Sequence, residues 1–238
     1  MLFRSALSAL KRLLFPAICP VCGKSLIEAE SFICIECTIS APFTNMWRQR
    51  GNALEQRFWG QISIERAAAF MWFIDGSQWR ELIHSFKYRD HWYYAENIGY
   101  WLATEFSRSD FFEGIELIVP VPLHWRRKLS RGYNQTEHIA AGISRHTSIP
   151  YSFSTVKRRV NNPPQVHTSY VNRWGNSSDI FEVIKPKELR GRHILLVDDV
   201  CTTGSTLISL AKTITKACDG DVKISVATIA ASRHIAKI

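Results

Sequence analysis

The chain has 238 residues, 46% of them apolar and eight of them Trp, which is enough to bury a real core and excludes a disordered polypeptide. Lysine and arginine outnumber aspartate and glutamate by 30 to 21, a formal charge of +9 that suits polyanionic ligands, either pyrophosphates or nucleic acid. No run of about 18 apolar residues exists, so no transmembrane helix is expected.

The first fifteen residues mimic a signal peptide, but Lys11 and Arg12 interrupt the apolar run and no small-residue cleavage site precedes Cys19. Residues 2–15 are therefore read as a short amphipathic helix of a cytoplasmic protein. Next come two CxxC pairs, Cys19-Pro-Val-Cys22 and Cys34-Ile-Glu-Cys37, separated by eleven residues. Each pair can place two sulfurs on one knuckle, and two knuckles complete a tetrahedral thiolate site. Two disulfides or a redox pair are the alternatives. A structural Zn2+ is preferred, because the other cysteines, Cys201 and Cys218, show no pairing pattern. Four thiolates leave no open position, so such a metal would stabilise a small segment rather than do chemistry.

Residues 38–61 read as a mixed connector, with Pro42, Gly51 and Gly60, and this composition shift divides the chain. Residues 1–45 would form the N-terminal helix and ribbon, and residues 62–238 the main domain. Residues 62–74 are expected to form a strand ending in the Asp75-Gly76 turn. Residues 78–106 carry a helical pattern, broken near residues 88–92. Lys87 lies in that stretch, within Ile83-His84-Ser85-Phe86-Lys87-Tyr88.

Residues 116–122 form a second strand, stopped by Pro120 and Pro122. Arg126, Arg127, Lys128 and Arg131 follow it. Most charge runs are solvated faces, but these cations stand at the carboxyl end of a strand, where an α/β sheet binds anions. Residues 131–135 read as a flap that closes over a ligand, or as the cap of a helix beginning near Asn134. Residues 151–156 are a third strand candidate, residues 157–178 an irregular stretch, residues 179–183 a short strand, and residues 223–230 the last strand.

The organising stretch is His193 to Thr206, HILLVDDVCTTGST. Ile194 to Val197 is a short apolar run, read as a buried parallel strand. Asp198 and Asp199 stand at its end. Thr202, Thr203, Gly204, Ser205 and Thr206 follow, and then Leu207, Leu210, Ala211 and Ile214 repeat at helical spacing. A helix N-terminus is a ready anion site, Gly204 permits close backbone approach, and the hydroxyls can donate to phosphate oxygens. Two acids beside a phosphate would repel it unless they face sugar hydroxyls or a Mg2+. The pattern therefore points to a phosphorylated sugar. It lacks GxxxxGK[ST] and GxGxxG, which argues against a Walker loop and a dinucleotide fold.

This stretch resembles the phosphoribosyl pyrophosphate (PRPP) signature of type I phosphoribosyltransferases. The wider chain resembles the ComF family of competence-associated phosphoribosyltransferase-like proteins (the ComFC and GntX type). The motifs are Phe15-Pro16 before CPVC, the second CxxC, IHSFKYRD, VPVPLH, RRKLSRGYNQTEHIA, and PPQ with Arg173, Asn176 and Phe181. The resemblance implies an α/β fold, a type I phosphoribosyltransferase-like parallel sheet flanked by helices, behind a small N-terminal zinc ribbon. It also implies a link to DNA uptake or DNA metabolism.

By that resemblance Asp198 and Asp199 would bind the ribose hydroxyls. Cys201, Thr202, Thr203, Gly204, Ser205 and Thr206 would cradle the 5′-phosphate. Arg126, Arg127, Lys128, Arg131 and Lys87 would meet the pyrophosphate, with Mg2+. Two functions follow. One is Mg2+-dependent phosphoribosyl transfer to an acceptor that variable loops would select, with Asp198, Asp199 and Arg131 as catalytic residues. The other is a non-catalytic sensor of PRPP or a nucleotide that contacts single-stranded DNA or the uptake machinery, where Trp125 and Tyr133 could stack bases.

Overall fold

The computed structural model describes residues 17–86, 91–160 and 180–237. The expected N-terminal helix, Lys87, the PPQ segment, Arg173 and Asn176 lie outside the described residues.

Four strands form a parallel sheet: β1 (Arg66–Phe73), β2 (Leu117–Pro120), β5 (His193–Cys201) and β6 (Lys223–Ser232), in the order β1-β6-β5-β2. A single parallel bridge from Ile118 to Tyr151 extends the β2 edge. A small antiparallel ribbon, β3 (Val156–Arg158) with β4 (Phe181–Val183), stands apart from it. Ile194 to Val197 are fully buried, as an apolar run covered on both faces should be. The helices are α1 (Ile35–Ile39), α2 (Ala53–Phe58), α3 (Gln78–Ser85), α4 (Trp92–Phe106), α5 (Trp125–Arg131), α6 (Gln135–Thr147) and α7 (Ser205–Ala217).

The tightest helix contact is between α4 and α6, and glycine makes it possible. A Cβ on Gly142 would lie 2.0 Å from the Glu96 carbonyl oxygen, and one on Gly99 would lie 2.3 Å from that of Ile139. Each helix thus offers a bare Cα where the other's backbone crosses. Behind them Trp47, Phe70, Trp101, Phe106 and Phe111 form an aromatic core, with Trp47 stacked on Phe106 at 4.8 Å.

Several expected boundaries move. The strand expected over residues 62–74 starts at Arg66, and the one over 116–122 spans Leu117 to Pro120. β5 continues through the acidic pair to Cys201, because β6 is long enough to keep pairing: Asp198 faces Thr228 and Cys201 faces Ala231. The strand expected over 151–156 is reduced to the Tyr151 bridge, and pairing resumes only at Val156.

Residues 38–61 are not a bare connector. They contain the last part of α1, a 3-10 turn (Met46–Arg48) and α2. Asn52 caps α2, its Oδ1 accepting from the Leu54 and Glu55 N–H groups. The Glu55 carboxylate reaches back to accept from the Gly51 N–H, so both side chains satisfy donors at the start of α2. Trp47, Leu54 and Phe58 are buried against the sheet. The basic segment after β2 is also regular. It forms α5, which starts at His124 and ends at Gly132 with φ +84°, while Asn134 caps α6.

Candidate functional site

The site lies at the carboxyl end of β5, at the middle of the sheet. The chain leaves the strand at Cys201, turns through Thr202, Thr203 and Gly204, and enters α7 at Ser205. Residues 200–207 and Asp198 line one pocket. Thr202, Thr203 and Ser205 are exposed there, and the Thr203 hydroxyl donates to the Ser205 hydroxyl at 3.1 Å. Gly204 is required twice over. Its φ is +79°, and a Cβ there would lie 3.0 Å from the Phe58 ring. The turn aims backbone N–H groups and hydroxyls at one spot, with the positive end of the α7 dipole behind them. Cys201 is buried, and burial pushes its thiol up to about 12, so it stays neutral and packs rather than reacts.

The acidic pair stands beside this loop. Burial, with the neighbouring Asp199 carboxylate second, raises the Asp198 pKa well above the usual carboxylate range. Asp198 Oδ1 accepts from the Asp199 N–H at 2.9 Å, and Asp199 Oδ1 from the Val200 N–H at 2.7 Å. Gln135, buried at the start of α6, donates from Nε2 to Asp199 Oδ2 at 3.1 Å. Its Oε1 accepts from Arg131 Nη1 at 3.3 Å. Asp199 and Arg131 are thus joined through one amide. The paired carboxylates are hard oxygen donors of the kind that suit Mg2+.

The cations of α5 divide between two faces. Arg127 and Arg131, one helical turn apart, are half-buried, and burial lowers the Arg131 pKa while the Asp199 charge opposes that. Arg126 is exposed and lies 5.2 Å over the Trp125 ring. Lys128 is held by Glu137, at 2.9 and 3.1 Å to its two oxygens. Arg158 of β3 joins the group. Burial lowers its pKa, Arg127 lowers it further, and the Asp198 charge opposes them.

The four cysteines of the N-terminal segment form one cluster, with sulfurs all within 4.8 Å of one another. Cys22 and Cys34 sulfurs are 3.6 Å apart, and none of the six cysteines is in a disulfide. A tetrahedral Zn2+ with Zn–S bonds of about 2.3 Å spaces its sulfurs ~3.8 Å apart, so the cluster fits the ion. Burial opposes the Cys19 thiolate, but N–H groups of Cys34, Cys22 and Val21 outweigh it and bring that thiol down to about 7. Burial pushes Cys37 up. Phe32 of this segment packs on Tyr94 of α4 at 5.8 Å, which ties the cluster to the main body.

Known proteins resemble this chain in sequence. Residues 131–237 match the phosphoribosyl transferase domain, a span that starts at Arg131 and includes Gln135, the acidic pair and the loop. Competence protein F of Haemophilus influenzae is 32% identical over 139 residues, 57% of this chain and 61% of that protein. DNA utilization protein YhgH of Escherichia coli is 32% identical over 134 residues, 55% of this chain and 58% of that protein. The match therefore spans about three fifths of these relatives' length. Competence protein ComFC of Bacillus subtilis is 27% identical over 195 residues, 80% of this chain and 68% of that protein. The chain is thus similar to competence protein F over about three fifths of that protein, and residues 131–237 are similar to the phosphoribosyl transferase domain.

Sequence reading missed four side chains around the phosphoribosyl transferase loop. Arg57 Nε donates to the Thr203 carbonyl at 2.9 Å, and Phe58 closes the floor under Gly204. Gln135 donates to Asp199, and the Arg158 charge is felt at Asp198. Only Asn52 and Glu55, the cap of α2, left a signal for the first two. Gln135 stood inside the RGYNQ motif with no contact to suggest its use.

Proposed function

We propose that this protein binds PRPP with Mg2+ and transfers its phosphoribosyl group to an acceptor, in the service of DNA uptake or DNA metabolism. The observation that carries the reading is the single pocket formed by Asp198 and residues 200–207 at the carboxyl end of the central strand. It combines the Asp198 carboxylate, with Asp199 beside it, and a hydroxyl-rich helix N-terminus, which in this reading are the two halves of a phosphorylated-sugar site.

In this reading Thr202 to Thr206 hold the 5′-phosphate, and Asp198 and Asp199 hold the ribose hydroxyls. Mg2+, when bound, offsets charge on the pyrophosphate. The bond from ribose C1 to pyrophosphate breaks, its electron pair leaves with the pyrophosphate, and the acceptor bonds to C1 and gives up a proton. Arg127 and Arg131 stand where the departing charge would develop, with Arg126, Lys128 and Lys87 as further candidates. Asp199, held by Gln135, keeps the ribose in line. Zn2+ in the cysteine cluster has a structural role, and the names of the relatives supply the link to DNA. The test is incubation with PRPP and Mg2+ across candidate acceptors, reading released pyrophosphate. Acceptor-dependent release is expected, and tight PRPP binding without release from any acceptor would leave a sensor instead.

A further inference from the structure

We propose that Arg57 is the cation of the phosphate subsite, so that the segment between the cysteine cluster and the sheet completes the binding loop. The proposal rests on the reading that the loop holds a sugar phosphate. A phosphate monoester carries nearly two negative charges at neutral pH. Residues 202–206 supply hydroxyls and N–H groups but no cation, and the strand before them carries two acids. Something positive has to come from elsewhere in the fold.

Arg57 comes from 146 residues away in sequence, and its Nε donates to the Thr203 carbonyl at 2.9 Å. Its charge is also felt at Cys201, where it favours the thiolate against burial. Among the described residues nothing pairs with its two terminal nitrogens. A guanidinium fixed by Nε keeps a fork of donors for a second partner, and phosphate oxygens match that fork.

The helix that carries it is built to stay in place. Asn52 Nδ2 donates to the Ala67 carbonyl of β1 at 2.8 Å and to the Met46 carbonyl at 3.2 Å, while its Oδ1 caps α2. Phe58, the next residue, is fully buried, and its ring fills the space that a side chain at Gly204 would need. Arg57 therefore meets the loop with its backbone already fixed, which lowers the entropic cost of ordering it on binding. The ligand class follows: a dianionic monoester at the end of the sugar remote from the pyrophosphate.

The test uses full-length protein with ribose 5-phosphate, PRPP and inorganic pyrophosphate, for the wild type, Arg57→Gln and Arg57→Lys, by calorimetry and thermal melting. Arg57→Gln should weaken ribose 5-phosphate and PRPP by roughly ten- to a hundredfold, the effect of removing a charged hydrogen-bond donor. Pyrophosphate affinity and melting temperature should hold, and Arg57→Lys should recover part of the loss. Wild-type affinity in Arg57→Gln would overturn the role of Arg57 and leave the loop reading intact. Equal loss for all three ligands, or no rescue by lysine, would make Arg57 a structural support of the loop and overturn the proposal. A wild type that binds neither sugar phosphate would overturn the site reading itself.

Discussion

Gln135 Nε2 donates to Asp199 Oδ2 at 3.1 Å, across 64 residues of sequence, and so sets the orientation of one of the two site carboxylates. The same side chain accepts from Arg131. Gln135→Leu removes both contacts and leaves Asp199 with a less satisfied oxygen. PRPP affinity should fall about tenfold, the effect of one lost charge-assisted hydrogen bond. Gln135→Glu should do worse, because a second carboxylate would then face Asp199. Calorimetric titration with PRPP and Mg2+ checks both. Unchanged affinity in the leucine variant would mean that Asp199 needs no anchor.

Asp198 and Asp199 should separate stability from binding. The Asp198 pKa is raised in the folded state, so its ionised form costs stability at neutral pH. The sign follows from linkage. The cost is absent below the unfolded value of about 4 and grows as pH rises from there towards the raised folded value. Asp198→Asn should therefore melt higher than the wild type at pH 7, by about 2–4 °C for each kcal/mol relieved, and match it near pH 4. Asp199→Asn should leave the fold intact. Both variants should lose PRPP binding, through lost contacts to ribose or Mg2+. Differential scanning calorimetry at the two pH values, with binding measured beside it, decides. A lower melting temperature for Asp198→Asn at pH 7 would contradict the raised pKa.

The cysteine cluster is expected to hold one Zn2+ per chain. Cys37→Ser should reduce zinc content and lower the melting temperature, since the segment buries little apolar surface of its own. Elemental analysis of the purified protein gives the count. Protein without zinc, carrying Cys19, Cys22, Cys34 and Cys37 as disulfides by mass spectrometry, would refute the assignment.

Gly142→Ala should be among the most damaging small substitutions in the chain. The added methyl would meet the Glu96 carbonyl at 2.0 Å and the Tyr100 N–H nitrogen at 2.7 Å, both backbone atoms that cannot rotate away. The cost of forcing α4 and α6 apart should be at least about 1–3 kcal/mol, the usual range for overpacking. Urea unfolding measures it directly. A loss below ~0.5 kcal/mol, within surface-substitution noise, would mean that the two helices do not cross there.

The helix α5 and its junction with α6 are expected to become more protected on ligand binding. No residue of α5 is buried, although Arg131 is joined to Asp199 through Gln135. Hydrogen exchange over residues 125–135 should slow when PRPP and Mg2+ are added, as the cations close over the pyrophosphate. Equal protection with and without ligand would make Gly132 and Asn134 simple caps.

Local signals were legible where they depend on chain chemistry alone. The ILLV run, the acidic pair and TTGST are contiguous, so one buried strand, one turn and one helix followed from them and stand where they were expected. The four cysteines were legible because two CxxC pairs each put two sulfurs on one turn, and the structure gathers them into one cluster. The cap of α2 was written at Asn52 and Glu55, yet the mixed composition around it masked a helix that packs on β1.

The sequence by itself determined the phosphate loop, the cysteine cluster and the alternation of strands and helices, because each is encoded by neighbours within a few residues. Only the tertiary structure decided what surrounds the loop. Arg57, Gln135 and Arg158 lie 146, 64 and 40 residues from Thr203, Asp199 and Asp198, and only the packing of helices and ribbon around the sheet brings them near. It also decided how the cations of α5 are used. Arg127 and Arg131 are both half-buried because the segment is helical, and Arg131 is joined to Asp199 through Gln135, whereas Arg126 lies against Trp125 and Lys128 against Glu137. A run of like charges does not specify its own periodicity. That comes from the caps at His124 and Gly132.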